Sequence, residues 1–253
     1  MRARRLAAAV ALAAAVPALA YVLPVSGILK RMGEKRAALN LEALEVTGTL
    51  RAEGPGAEKL AAVTGRAGAQ RVALPARLDL KVPGRCRLEA GGPEVAEADR
   101  TFASLRGDKV TGKGALADSA PAAALVRAVC TLLATTVSGD VSGNYAAALG
   151  RRGVGLADAA LGRFEGKVVY LLGARPKDAK PLAMVEKDSF QPARLVAQEG
   201  GALYDVRLLG WGSPTGGDWF PRAIEVWQGE ELRLRLTTEK AQANPRLPET
   251  LFP

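Results

Sequence analysis

Histidine is absent from all 253 residues, cysteine occurs twice, and Phe, Trp and Tyr together make up 5% of the chain. The first absence removes His-containing nucleophilic triads, imidazole general bases and the commonest transition-metal ligand at once. Two isolated cysteines exclude a four-thiolate zinc site. No H-E-x-x-H, Walker or G-x-G-x-x-G arrangement occurs either, so no metal and no cofactor is expected. Lys and Arg are in excess but form no block, and with so few aromatic residues nucleic-acid binding is not expected. Asp and Glu alone are able to run glycoside hydrolysis. Glu225, Glu230 and Glu231, however, sit on the charged side of alternating segments, where the expectation is solvated surface. No catalytic residue is assigned, and the chain is expected not to be an enzyme.

The opening residues address the compartment. Arg2, Arg4 and Arg5 form a basic start, Leu6 to Val16 is an uninterrupted apolar run, and Pro17-Ala18-Leu19-Ala20 offers small residues at a cleavage site. That is the layout of a secretory signal peptide over residues 1–20. The run is shorter than the ~20 residues that span a membrane, although Tyr21, Val22 and Leu23 would lengthen it into an anchor if cleavage failed. A lipid anchor needs a cysteine directly after the signal, and the first here is Cys86, so the exported chain is expected free in the periplasm. The leader takes three of 35 basic residues, leaving 32 against 26 acidic ones and a net charge of +6. Residues 21–253 are enough for one sizeable core, and a single domain is expected. In an oxidising compartment Cys86 and Cys130 either form a disulfide or remain two buried thiols; sequence alone does not place their Cα atoms within bonding distance.

Period-two alternation dominates the rest of the chain. After an amphipathic helical segment with Ile28, Leu29, Met32 and Leu39 on one side, capped by Ser26, the pattern changes at Leu44, Val46, Gly48 and Leu50. It is clearest at Leu78, Leu80 and Val82, at Tyr204, Val206 and Leu208, and at Leu232, Leu234 and Leu236, each set interleaved with charge. Such strands belong to antiparallel sheet with one face in water. Val168 to Leu172 is the one continuous apolar run, predicted as a central strand or one whose outer face a helix covers. Turn signals at Pro83-Gly84, Gly91-Gly92-Pro93, Gly107-Asp108, Gly200-Gly201, Ser213 to Asp218 and Gln228-Gly229 have hairpin spacing. In the middle, Ser119 and Pro121 open a helix over Ala122 to Thr135 whose stripe is Leu125, Val129, Leu132 and Leu133 and whose single charge is Arg127. A helix this apolar must be covered by protein or by ligand. Ala146 to Leu149 and Leu156 to Leu161 suggest shorter helical turns. The expected fold is a curved antiparallel sheet, apolar on its concave side, with helices across the opening.

Several stretches, in this order, resemble the periplasmic lipoprotein carrier family, the LolA-like proteins. Lys81-Val82-Pro83-Gly84-Arg85-Cys86-Arg87-Leu88 is similar to the family's strand, Pro-Gly turn and R-F-R-W stretch, and Gly107-Asp108-Lys109 to the short turn after it. Asp188 to Leu195 resembles the family's D-x-x-T-x-L-P-x-R strand. Phe220-Pro221 and Asn244 to Phe252 are similar to its closing strands. The departures are Val82 where the family often has Arg, leaving Lys81 as the nearest cation, and Cys86 and Leu88 in place of aromatic residues.

The resemblance implies a mainly β fold with an α lid, an incomplete (unclosed) antiparallel β-barrel whose helices cover an apolar cavity. It also implies a carrier that binds acyl chains of lipoproteins or another lipid, with an inner-membrane donor and an outer-membrane acceptor; the chain is expected to act as a monomer. An envelope sensor or adaptor that binds a protein partner, through its basic exterior or the loop around Trp211 and Trp219, is the alternative on the same barrel. The cavity-lining candidates are Leu78, Leu80, Val82, Leu132, Leu133, Val169, Leu171, Tyr204, Val206, Leu208, Leu232 and Leu234. Each methylene they take from water contributes roughly 0.8 kcal/mol, so about ten suffice to hold a chain without polar contact.

Overall fold

Twelve alternating segments pair in one antiparallel sheet in this computed structural model, which describes residues 22–63, 68–92, 95, 96 and 100–253. The signal-peptide expectation for residues 1–20 lies outside the described residues. The first half supplies β1 (Ala43–Glu53), β2 (Arg71–Lys81), β3 (Arg85–Ala90), β4 (Thr101–Arg106) and β5 (Lys109–Lys113). The second supplies β6 (Ala159–Phe164), β7 (Lys167–Gly173), β8 (Leu182–Glu186), β9 (Pro192–Glu199), β10 (Ala202–Leu209), β11 (Ala223–Gln228) and β12 (Glu231–Ala243). Each half is a meander, because successive strands pair with one another, most of them across short turns. The halves join where β1 pairs β12, Leu50 opposite Leu236 and Leu44 opposite Ala243. The order runs β5-β4-β3-β2-β1-β12-β11-β10-β9-β8-β7-β6, and β5 and β6 remain as edges, so the sheet is unclosed.

Alternation puts one set of side chains into a single core: Val46 and Leu50, Leu78 and Leu80, Leu88, Tyr204 and Val206, Ile224 and Val226, Leu234 and Leu236. The other set carries charge. Arg194 lies opposite Arg207, Arg207 opposite Glu225, and Glu225 opposite Arg235 across four strands. Asp205 holds Arg194 at 2.6 Å and Arg207 at 2.8 Å, and Arg235 meets Glu225 at 2.9 Å. Glu225, expected on solvated surface, is buried within this ladder and also accepts from Trp227 Nε1 at 2.9 Å.

Among the described residues five α-helices accompany the sheet: α1 (Val25–Ala37), α2 (Pro55–Ala62), α3 (Gly114–Ala117), α4 (Ala120–Leu133) and α5 (Val141–Gly150). The cap expected from Ser26 is not made; Pro24 precedes the helix, and the Ser26 carbonyl accepts from Ser142 Oγ at 3.1 Å. Ser119 does cap α4, accepting from the Ala122 N–H at 3.3 Å. Eleven of the fourteen residues of α4 are buried, and it packs against β3 and β4 from one half and β9 to β12 from the other. It therefore fills the concavity of the sheet. α1 and α5 pack on each other at Gly33, where a Cβ would collide with Val141.

Three further expectations need correction. Val168 to Leu172 falls in β7, second from an edge, and its run is apolar because both faces there are covered: Tyr170 and Leu172 join the main core, Val169 and Leu171 a second cluster. Leu156 to Leu161 is not helical; its end enters β6, held by pairing with β7 that local propensity does not report. Asn244 to Phe252 is no strand but a strap over β1 to β5. Asn244 takes a positive φ of 52°, ending β12, and its side chain bonds the N–H of Glu42 at 2.8 Å. Phe252 is then buried, with Lys81, Arg87 and Thr111 donating to strap carbonyls.

Candidate ligand-binding site

Cys86 of β3 and Cys130 of α4 form a disulfide, with Cα atoms 5.8 Å apart. The Gly84 N–H donates to the Ala134 carbonyl at 2.8 Å, and Arg36 Nη2 donates to the Leu133 carbonyl at 3.1 Å. Three tethers thus meet at the C-terminal end of α4. Midway along the helix, Arg127 meets Glu199 and donates to the Asp108 carbonyl.

Of the twelve candidate residues, Leu78, Leu80, Leu132, Leu133, Tyr204, Val206, Leu208 and Leu234 lie in one core cluster with the rest of α4. They touch protein: the cavity between α4, Leu195, Tyr204 and Val206 measures about 10 Å³, room for about one water. The remaining four lie elsewhere. Val169 and Leu171 pack with Leu182, Met184 and Val196 in the second cluster. Val82 follows the end of β2, half-buried in the turn before Pro83. Leu232 is half-buried beside the register shift at Val226/Trp227, which interrupts the alternation that sequence spacing assumes. Lys81, the nearest cation to the family's arginine position, reaches the strap rather than α4, 2.6 Å from Glu249.

A roomier concavity lies under α1. Met32, Leu39, Phe190, Pro192 and Trp211 line a groove of about 390 Å³, together with Lys35, Arg36, Gln191 and Asp218. This volume is within the ~300–1,000 Å³ usual for small-ligand sites. Met32 belongs to the main core and is fully buried, so the groove reaches that core from outside. Phe190 has a φ of 56°, a left-handed conformation that costs a bulky residue strain. Its ring is held between Tyr170, 6.0 Å away, and the Arg31 guanidinium at 5.3 Å. Trp211 Nε1 donates to the Pro192 carbonyl at 3.0 Å, leaving its ring as a wall.

Arg36 forms the polar part of this groove and was not among the twelve candidates. It is 8% exposed, with Nη1 donating to the Trp219 carbonyl at 2.8 Å. Burial lowers its pKa, while the neighbouring Tyr145 acts in the opposite direction; burial likewise pushes the Tyr145 phenol up to about 12. A guanidinium keeps its proton in proteins, so Arg36 is a buried charge. The signal was present in the sequence: Ile28, Met32 and Arg36 stand four apart, which places an arginine on the apolar stripe of α1.

Solved structures to which the chain is similar include the following two. One is a LolA superfamily protein from Nitrosomonas europaea, at 13% identity and a TM-score of 0.48. The other is a DUF1329 family protein from Desulfovibrio piger, at 12% identity and a TM-score of 0.44. Each match covers 92% of this chain and 98% of the other. No family model and no curated protein matches it.

Proposed function

We propose that this chain is a non-catalytic carrier for an apolar molecule, an acyl chain above all, taken up under α1 and against the concave face of the sheet. The supporting observation is the groove of about 390 Å³ whose wall residue Met32 is part of the main core. An acyl chain entering there makes the same apolar contacts that α4 makes deeper in, and burial of about ten methylenes supplies roughly 8 kcal/mol. In the fuller reading the leader is removed on export, and the periplasmic monomer takes lipoprotein acyl chains or another lipid from an inner-membrane donor. It then hands them to an outer-membrane acceptor, without metal, cofactor or nucleic acid. The order of sequence motifs supports the same reading.

Native mass spectrometry of protein recovered from its exporting host, with titration of a fluorescent long-chain fatty acid, tests it. Co-purified lipid and saturable micromolar binding are expected. Repeated recovery of empty protein that binds no fatty acid sinks the carrier.

The filled interior favours a second reading, an envelope adaptor that binds a protein. Trp219, at 37% exposure, is the large hydrophobic residue left open among those described, and exposed Trp often serves as a contact. Charge reversal on the convex ladder separates the two readings: it should abolish capture of a protein partner and leave lipid binding unchanged.

A further inference from the structure

Arg36 has no counter-ion among the described residues. Among the described residues no carboxylate pairs with it, and its hydrogen bonds go to two backbone carbonyls, of Trp219 and Leu133. A guanidinium carries five N–H groups, so three remain without a protein partner. The carbonyl end of α4 offsets part of the charge, but a buried cation without an anion stays costly. An interior position held at such cost, lining a groove with apolar walls, points to what enters the groove.

The surrounding charges have the same sense. Lys35 also lines the groove, and Arg31 lies over the Phe190 ring. The one carboxylate in the lining, Asp218, is exposed and meets Gln191 Nε2 at 3.5 Å, so it does not neutralise Arg36.

We infer that the groove selects an amphiphile with an anionic head, a carboxylate or a phosphate, which Arg36 takes while Met32, Leu39, Phe190 and Trp211 hold the chain. This deepens the carrier reading and rests on it. The guanidinium fork suits either head, since both accept two parallel N–H bonds. A neutral head leaves the charge of Arg36 unpaired and gains nothing from it. Chain length then sets affinity through the apolar wall, and head charge sets selectivity.

The test uses the purified chain and three probes with twelve-carbon chains below their micelle concentrations: dodecanoate, lauroyl lysophosphatidic acid and dodecanol. Calorimetry reads affinity, and tryptophan fluorescence reports contact with Trp211. Either anion is expected to bind at least about tenfold more tightly than the alcohol, a difference of about 1.4 kcal/mol. Which anion binds better distinguishes a free fatty acid from a phospholipid as the source. Arg36→Gln should bring the three affinities together and Arg36→Lys should keep part of the preference. Because Arg36 is buried and its variants are liable to misfold, Asp218→Asn on the exposed rim serves as a second variant. It should tighten both anions two- to threefold relative to dodecanol. Equal wild-type affinity for all three probes overturns anion selection and leaves the carrier standing; binding of none overturns both.

Discussion

Arg127, the one charged residue of α4, sets its Nε 2.7 Å from Glu199 Oε2 at the end of β9 while Nη1 donates to the Asp108 carbonyl at 2.6 Å. The Nε contact is Coulombic, without hydrogen-bond geometry. The helix is thereby latched at its third turn and tethered covalently near its C-terminus, so its N-terminal half is the end without a covalent tether.

Arg127→Ala should therefore loosen Ala122 to Arg127 more than Leu132 and Leu133. The expected cost is about 1–3 kcal/mol, as for a part-buried, charge-assisted contact. Hydrogen exchange by mass spectrometry checks the location; uniform loss of protection along α4 would contradict a latch.

Leu132 is 1% exposed in the core, and Leu132→Ala should cost about 2–5 kcal/mol. If an acyl chain takes over contacts of α4, affinity for a fluorescent fatty acid per folded molecule falls as well. Denaturant unfolding measured beside the titration separates the effects, and unchanged affinity would leave α4 a fixed core helix.

The disulfide closes a loop of 44 residues. The chain-entropy relation assigns it about 4 kcal/mol, which Cys86→Ser with Cys130→Ser should remove. Since the bridge fixes the end about which α4 would pivot, ligand exchange should also speed up on reduction. Identical exchange in both forms would confine the bridge to stability.

Asp79 is buried with Arg77 Nε 2.9 Å away, and burial pushes its carboxyl up to about 6 despite Arg77. A carboxyl raised on folding is protonated in the native chain while the unfolded chain has already ionised. Stability from this group is therefore full below about pH 4 and lost as pH rises to about 6, a change of order 3 kcal/mol. Denaturation of the wild type and Asp79→Asn at several pH values between these limits reads the slope. The variant should lose that part of the slope, and equal slopes would assign it to other groups.

Local pattern determined the clearly alternating strands, their turns and the two main helices, because burial of one strand face imposes period two and burial of one helix stripe imposes 3.6. Ser119, Pro121 and the leucines of α4 wrote that helix into the chain, and Leu78, Leu80 and Tyr204, Val206 wrote the concave face. Tertiary structure decided the rest. Whether Cys86 meets Cys130, whether Val169 faces the main core, and whether α4 fills the concavity all depend on distances between strands remote in sequence. A bulge at Val226/Trp227 and the positive φ of Asn244 each turn side chains away from where unbroken alternation puts them. Arg36 was visible as an arginine on an apolar stripe. Only the carbonyl end of α4 and the Trp219 loop, brought to it by the fold, made it a buried charge, because a helix pattern states which side is covered and not what covers it.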